Sequence, residues 1–488
     1  MRSENISGDK FRDSASKPDQ QDDTNWEERY AYSLGLQAYV WGFPWVYLSY
    51  IRWLWTTKGG KAVAKASGKN LPWAPVNSFF TSPVLASPST PTGGSPNCDT
   101  LYATAWLDLR KEPMVLSVPA VRDRFYCLEM ACIDSDNFAY VGTHSTGTAA
   151  ANYLIGGPGW EGEVPRDVLD VLPRSRTPDI FVLGRTQVVR NTKVDIGVAN
   201  EIQCKYRVTP LSNWPKIAKP TIRDEVDPHS FINPTENTEG AWISMNRAMT
   251  ENPPGVLPGI DQEELLRLFA TIGVGPNQSW ENQSPATKLG LARAAKDGLA
   301  MLRNMAAGRG KQVGSWTYPP QDIGMAGQNS DFITRAALQA LAGLIAHNPP
   351  EGVYMNSMVD RDGNELEGGR DNSYSITFPN AHSFPPFDST YHGFWSITMY
   401  QSKDFNLVKN SKAYSVNSYY PEFKSRDRKG GMTIYLQREK PKNHGSDGVY
   451  WLQTPREGKF YLILRIYVPG PEISCTQMWH PPDIKKTS

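Results

Sequence analysis

Asn97-Cys98-Asp99-Thr100-Leu101-Tyr102-Ala103-Thr104-Ala105-Trp106-Leu107-Asp108-Leu109-Arg110 is the stretch on which the reading of this chain turns. From Leu101 onward its side chains alternate in character, the period of a strand with two unlike faces. Val115-Leu-Ser-Val-Pro119 follows as a second short run of the same kind. At the mouth of the first run stand an amide, a carboxylate, a hydroxyl and a phenol. Polar groups at a strand end are held rigidly enough for small-molecule chemistry. The competing reading is an Asx-turn, with Asp99 and Thr100 capping their own backbone.

Working outward, further alternating runs occur at Phe125–Cys132, Asn152–Ile155, Ile180–Val189 and Gln203–Val208, separated by Pro, Gly and Asn. Short strands with turn punctuation at this spacing predict a first β-sandwich over residues 71–215. Gly156-Gly-Pro-Gly-Trp160 reads as a rigid turn, because no helix signal follows it. Upstream, residues 1–25 are rich in Ser, Asp, Lys and Gln and read as a disordered tail. They lack the apolar core of a signal peptide, so a cytoplasmic location is expected. Thr24-x-x-Glu27 is a capping-box pattern. It predicts a helix through about Val40, ended or kinked before Pro44, then a shorter helix to Trp55, within a helical segment 26–70. Tyr30 to Ile51 carries no formal charge over 22 residues, long enough to cross a membrane. It also holds five Tyr, two Ser, a Gln and the Gly42/Pro44 break, so no membrane span is expected.

Downstream of the first sandwich the period becomes helical over 216–349. Asp261-x-x-Glu264 caps a run with Leu265, Leu266, Phe269 and Ile272 on one side. Ser284-Pro285 opens a helix ending at Gly308. Ile333, Ala337, Leu341, Leu344 and Ile345 mark another, stopped at Asn348-Pro349. The stretch Asp227–Pro234 is loop-like. Over 350–488 alternation returns. Asp362-Gly363 predicts a hairpin turn, and Phe394–Tyr400, Met432–Leu436 and Phe460–Val468 are the clearest strands. On the last, Tyr461, Ile463, Arg465 and Tyr467 share a face, and an arginine there needs a partner if it is buried. The expected fold is therefore α+β and multidomain: two antiparallel, jelly-roll-like β-sandwiches, an all-helical N-terminal piece and a helical middle segment.

These residues resemble a known family. Asn97–Tyr102, Trp106-Leu-Asp-Leu109, Arg124-Phe-Tyr126, Asn137–Gly142, Gly156–Trp160 and Gly184-Arg185-Thr186 resemble the domain of unknown function numbered 1254. Asp360-x-Asp-Gly363, Tyr374–Pro379, Phe394–Tyr400, Trp451-x-x-x-Pro455 and Leu464-Arg-Ile-Tyr-x-Pro469 resemble the domain numbered 1214. The two usually occur in this order in one polypeptide, and the resemblance covers residues 30–488. It implies a helical start, a β-sandwich, a helical middle and a C-terminal jelly-roll-like sandwich, and no established general activity. Departures are Cys98, where the family often has a charged or larger residue, the missing secretion signal of bacterial members, and Tyr450-Trp-Leu-Gln-Thr-Pro455, where the family usually has an Asn-Trp-Leu-Pro run.

Composition narrows the chemistry. Net charge is +1 over 488 residues, so no nucleic-acid partner is expected. The 15 Trp and 22 Tyr either line ligand pockets or fill sandwich cores. Five cysteines without a CxxC pair read as thiols of a reducing compartment rather than disulfides or a zinc site. The seven histidines form no HxH or HExxH pattern. Asp360-Arg-Asp362-Gly363 lacks the later glutamate of a calcium loop. There is no GxSxG elbow, Rossmann fingerprint or Walker loop. No cofactor and no metal is expected.

Asp99 is the candidate general base, with His144 and His392 as further acid/base candidates. Asn97, Tyr102, Arg124, Tyr126, Trp395 and Arg465 are the candidate substrate-holding residues. Each has a plain structural alternative: turn chemistry for Asp99, satisfied structural histidines, and a rim salt bridge for Arg124. The expected function is an enzyme acting on a small organic molecule by acid/base chemistry without a nucleotide, of hydrolase, lyase or isomerase type, its site between the sandwiches. Alternatives are a non-catalytic binding protein for a carbohydrate-like or aromatic ligand, and a structural module. A homo-oligomer is left open.

Overall fold

The computed structural model describes residues 25–68, 71–89, 94–216, 230–255, 257, 261–306, 309–341, 343–409 and 413–487. Most of the N-terminal tail, the capping Thr24 and His229 lie outside them. The chain opens with helices α1 (Trp26–Thr56) and α2 (Lys58–Ala66). Strands β1 (Phe79–Thr81), β2 (Thr100–Asp108), β3 (Met114–Val118), β4 (Tyr126–Cys132), β5 (Asn137–Gly142), β6 (Ala151–Ile155), β7 (Asp170–Val171) and β8 (Asp179–Gln187) follow. Then come α3 (Lys193–Gln203), β9 (Arg207–Pro210), α4 (Thr238–Glu251), α5 (Gln262–Ala270), α6 (Pro285–Ala306), β10 (Lys311–Val313), β11 (Trp316–Tyr318) and α7 (Phe332–Leu341). The last part holds β12 (Gly352–Ser357), β13 (Ser373–Phe378), β14 (Phe394–Gln401), β15 (Ser415–Asn417), β16 (Met432–Gln437), β17 (Val449–Gln453), β18 (Phe460–Tyr467), α8 (Pro471–Ser474) and β19 (Lys485–Lys486).

The fold is α+β. One sheet runs β1-β2-β8-β4-β5 with antiparallel neighbours. A second runs β7-β6-β3-β9. Ala103, Ala105 and Leu107 of the first and Leu116, Val118 and Tyr153 of the second share one apolar core. A third sheet, β10-β11-β12-β18-β14-β15, and a fourth, β17-β16-β13-β19, share another, with Leu464, Ile466 and Trp395 against Ile376, Ile434 and Leu436. β6 with β7 and β16 with β17 pair in parallel, so the sheets are mixed.

Several expectations need correction. Trp26–Thr56 forms one 31-residue helix with Pro44 inside it, where the spacing predicts two helices ending near Val40 and Trp55. Proline removes one intrahelical bond, but this helix is buried almost all round from Ala38 to Val46. Tyr39, Trp41, Phe43 and Trp45 lock into the core formed with α4, α6 and α7. A helix that is apolar on every side is a core helix, which accounts for the uncharged run. No helix among the described residues is long and apolar enough to cross a membrane. Glu27, the second half of the capping pattern, instead accepts hydrogen bonds from Ser284 (2.6 Å) and Thr287 (3.0 Å) at the start of α6.

The run Gln203–Val208 is not a strand throughout, since Gln203 ends α3 and pairing begins at Arg207. The Thr192 hydroxyl accepts from the Asp195 amide and starts that helix. Helix α4, whose N-cap Asn237 accepts from the Gly240 amide, is an addition to the middle segment. Asp261 caps α5 through the Glu264 amide as its spacing predicts.

Candidate functional site

The outward face of the first sheet is where the polar side chains collect. Strand alternation sends Tyr126, Leu128 and Met130 of β4 into the first core and leaves Cys127 and Glu129 outside it. Pairing places Tyr102, Arg185 and Cys127 in one row across β2, β8 and β4. The next row holds Leu183, Glu129 and Tyr140. Further along the same face, Trp106 and Phe181 pack into the core of α1. The polar end is left to meet the C-terminal part. There, β18 sends Leu464 and Ile466 inward and carries Arg465 beside Tyr354 of β12 and Ser396 of β14. Two sheets thus set unlike polar rows against each other.

Tyr467 stands in the middle of this seam. Its phenol oxygen accepts from Asn97 Nδ2 (2.6 Å) and from the Tyr354 hydroxyl (3.1 Å). The Asn97 backbone amide donates to the Tyr102 hydroxyl at 3.0 Å. Among the described residues, neither Tyr102 nor Tyr467 gives its own phenol proton to an acceptor. Burial holds the Tyr467 hydroxyl well above its ordinary range, while the charges of Arg185 and Arg465 pull the other way.

The two arginines differ in their partners. Arg185 Nη1 meets Glu129 Oε2 at 2.5 Å, with both side chains buried. Asn137 Nδ2 donates to the other Glu129 oxygen at 3.1 Å. Burial pushes the Glu129 carboxyl up and Arg185 opposes it. Arg465 is 4% exposed. Its Nη2 donates to the Ser95 carbonyl at 2.8 Å, and its Cζ lies 5.4 Å from the ring centres of both Tyr354 and Tyr400. Its Nη1 is buried without a hydrogen-bond acceptor. His347, 1% exposed, has both ring nitrogens unpartnered. Its Nδ1 lies 3.4 Å from Glu129 Oε2 without forming a hydrogen bond. Burial, and secondly the Arg185 charge, hold the imidazole far below its usual pKa, so it is neutral. Its ring centre is 6.0 Å from those of Tyr354 and Tyr467.

Asp99 belongs to this neighbourhood but is already satisfied. Its oxygens accept from Ser396 (2.5 Å), Tyr419 (3.0 Å) and Ser415 (3.2 Å). Its amide donates to Asn97 Oδ1 at 2.7 Å, an Asx-turn. Burial raises the carboxyl's pKa, opposed chiefly by the Ser396 hydroxyl. No described hydrogen-bond partner of Asp99 is a histidine. Asp99 and Arg465 form no direct ion pair, because Asp99 turns to three hydroxyls and Arg465 to a carbonyl and two rings, yet the Arg465 charge still draws the Asp99 pKa down against its burial.

The structure gathers Asn97, Tyr102 and Arg465 at the seam, with Asp99 adjoining. It sets four other candidates apart. Tyr126 faces the first core and donates to the Gly147 carbonyl at 3.2 Å. Trp395 faces the second core, stacked on Phe378 and Phe384. Both are one residue out of phase with the seam, where Cys127 and Ser396 stand. Arg124 is buried and tied to Asp123 (2.8 Å) and Asp195 (3.0 Å), away from the seam. His392 occupies a left-handed turn position (φ 57°) and bears on Asp123 rather than Asp99.

His144 is partly exposed, with Nδ1 2.8 Å from Glu351 Oε1. The Cys127 thiol donates to the other Glu351 oxygen at 3.8 Å. Burial holds that thiol well above its ordinary range, so it is not a thiolate nucleophile. Tyr467, Tyr354, His347, Glu129 and Arg185 stand at the seam and are not among the residues expected from the sequence. The available signal was positional: Arg185 lies in the Gly184-Arg185-Thr186 motif, and Tyr467 shares its strand face with Arg465.

Comparison with known proteins places this geometry in context. Residues 76–210 match the family described as "Protein of unknown function (DUF1254)". Residues 351–471 match "Protein of unknown function (DUF1214)". No curated protein matches the chain. Among solved structures, the VPA0106 protein from Vibrio parahaemolyticus is similar in fold, with TM-score 0.65 and 21% identity over 94% of this chain and 100% of that one. An uncharacterised protein from Burkholderia cenocepacia is more distant, with TM-score 0.40 and 12% identity over 84% and 80% of the two chains. Every seam residue named on β2, β4, β8, β12, β14 and β18 falls inside one of the two matched segments, and the chain belongs to the family that carries DUF1254 and DUF1214 in tandem.

Proposed function

We propose that this protein is an enzyme that transfers protons on a small organic molecule at the seam between its two β-rich parts, without a nucleotide. The observation that carries this reading is an excess of buried hydrogen-bonding capacity. Arg465 Nη1 and both His347 nitrogens have no hydrogen-bond partner, and among the buried polar atoms so placed in the described residues these three flank the same tyrosine, Tyr354. A bound molecule would pair them.

His347, neutral, has the lone pair to accept a proton and Tyr467 holds one to give; burial makes the first a weak base and the second a weak acid, so the transfer rests on Arg185 and Arg465, whose charges favour the phenolate. As Tyr467 gives its proton to a substrate oxygen, Asn97, Tyr354 and the two arginines are placed to stabilise the phenolate. His347 takes the compensating proton from the substrate or a water, and the proton count balances. This chemistry fits a hydrolase, lyase or isomerase. Five unpaired cysteines favour a reducing, cytoplasmic setting, and the paired sheets favour reading each β-rich part as a jelly-roll-like sandwich.

A second reading, a non-catalytic binding protein, is favoured by Asp99 having no unpaired oxygen to offer as a base. A thermal-shift screen of small acids, sugars and aromatic alcohols separates the two. A ligand at a hundred times its dissociation constant adds about 2.7 kcal/mol. Stabilising compounds are then incubated with protein and followed by NMR. Conversion that falls about 100-fold or more in Tyr467→Phe supports the enzyme. Recovery of every binder unchanged would establish the binding protein.

A further inference from the structure

We infer that Glu129 is a positioning residue for His347: its carboxylate holds the imidazole proton on Nδ1, so that Nε2 presents its lone pair to the reacting molecule. This rests on reading His347 as the group that accepts a proton at the seam, and goes beyond it by naming the nitrogen that does so and what selects it.

The two side chains are fastened to one another by their surroundings. Glu129 projects from β4 with no exposure, and His347, in the loop after α7, is 1% exposed. Asn137 Nδ2 donates to Glu129 Oε1 (3.1 Å) and to the Ala346 carbonyl (2.6 Å). The Asn348 amide donates to the Tyr140 hydroxyl at 2.9 Å. Both chain neighbours of His347 are thus tied to β5, and Tyr140 of β5 pairs with Glu129 across the strands. Gly352 approaches the ring so closely that a Cβ there would come within 3.2 Å of His347 Cδ2. The ring centres of Tyr140, Tyr354 and Tyr467 stand 5.9, 6.0 and 6.0 Å from that of the imidazole. In this setting the nitrogen that meets Glu129 is Nδ1, 3.4 Å from Oε2.

The donors around Glu129 decide which proton arrangement fits. Arg185 Nη1 meets Oε2 and Asn137 Nδ2 meets Oε1. With a donor on each oxygen, the group acts as a carboxylate, which only accepts. Burial raises its pKa, and Arg185 in direct contact is the strongest opposing influence. A lone pair on Nδ1 would be repelled by that oxygen, whereas an Nδ1–H is attracted to it. The hydrogen bond open to one ring nitrogen sets which of the two carries the proton. The contact is long and unaligned, as such contacts often are in a site without its ligand, and the ring torsion of histidine is soft enough to close it. When His347 accepts a proton, an N–H bond forms at Nε2 and the O–H bond of the donor breaks. The Nδ1 proton stays in place and Glu129 gains none. The carboxylate then faces an imidazolium and favours it, against the opposing charge of Arg185.

The test is nuclear magnetic resonance of the full chain labelled with 15N-histidine. His347 is the ring expected to stay neutral from about pH 5 to pH 8, and its signals should vanish in His347→Gln. The Nδ1–H form is expected to exceed the Nε2–H form about tenfold or more, the scale of one hydrogen bond to a charged group. Glu129→Leu combined with Arg185→Met removes the acceptor and leaves neither charge stranded, and should move the ring toward the Nε2–H form that free histidine favours. Asn137→Ala, which loosens both Glu129 and Ala346, should move it the same way and serves if the double variant does not fold. A wild-type ring with its proton on Nε2, an even mixture, or a ring that becomes imidazolium within that range would overturn the inference. So would an Nδ1–H form unchanged by the variants. The proton's place is read without turnover. An Nε2–H ring beside conversion that depends on Tyr467 would therefore overturn this inference and leave the enzyme standing, while an Nδ1–H ring in a protein that converts nothing would uphold the positioning and remove the enzyme.

Discussion

Asn97 and Tyr467, 370 positions apart in the chain, are joined by a 2.6 Å hydrogen bond in which the amide nitrogen donates to the phenol oxygen. That bond ties the turn before β2 to the last long strand of the C-terminal part. The Tyr467 oxygen accepts a second bond from Tyr354 while its own proton stays unspent. The arrangement serves both cohesion and chemistry, and the predictions below separate the two.

Asp99→Asn should cost about 1–3 kcal/mol, the scale of leaving buried hydroxyls imperfectly paired. The amide NH2 would face donors where an oxygen stood, since Ser396, Ser415 and Tyr419 all give protons to this carboxylate. Urea unfolding of Asp99→Asn beside Ser415→Ala measures it. A change in Asp99→Asn no larger than the single hydroxyl loss would mean the carboxylate is not the centre of this cluster.

Glu129→Gln should destabilise by about 3–5 kcal/mol, because it strands the buried Arg185. Glu129→Leu combined with Arg185→Met should be nearly neutral by the same principle, since no charge is left unpaired. A double-mutant cycle from denaturation midpoints decides it, with strong coupling expected between side chains 2.5 Å apart.

His144 should make stability depend on pH. The hydrogen bond to Glu351 raises its pKa above the ordinary 6.5. Its contribution is therefore fully present below about 6.5 and is lost as pH rises through the higher folded value. Melting temperatures of wild type and His144→Ala, compared from about pH 6 to pH 9, should converge toward the alkaline end. Divergence there would contradict the ion pair.

Two glycine replacements should move stability in opposite directions. A Cβ on Gly290 of α6 would collide with the Glu28 carbonyl and come within 2.9 Å of Ala31 Cβ on α1. Gly290→Ala should cost about 1–3 kcal/mol despite its better helix propensity. A Cβ on Gly197 of α3 meets nothing within 4 Å, and Gly197→Ala should gain about 0.5–1 kcal/mol. Thermal unfolding of the pair checks both signs.

The sequence by itself determined what depends on neighbours along the chain. Alternation placed Tyr461, Ile463, Arg465 and Tyr467 on one strand face, and Asp261 carries the carboxylate that starts a helix. These are short-range matters of side-chain period and capping, so they are legible one segment at a time. Which face looks into a core and which into the seam depends on what packs there. Tyr126 and Trp395 go to the cores with the apolar residues in phase with them, Leu128 and Met130 on one strand and Ile397 and Met399 on the other, leaving Cys127 and Ser396 to the seam. Only the tertiary structure decided that Pro44 lies within a continuous helix, held by packing from α4, α6 and α7. It alone brought His347, from the loop after α7, beside Glu129 and Tyr467. The unpaired nitrogens of His347 and Arg465 exist only once distant segments exclude water from them, and no local pattern records that.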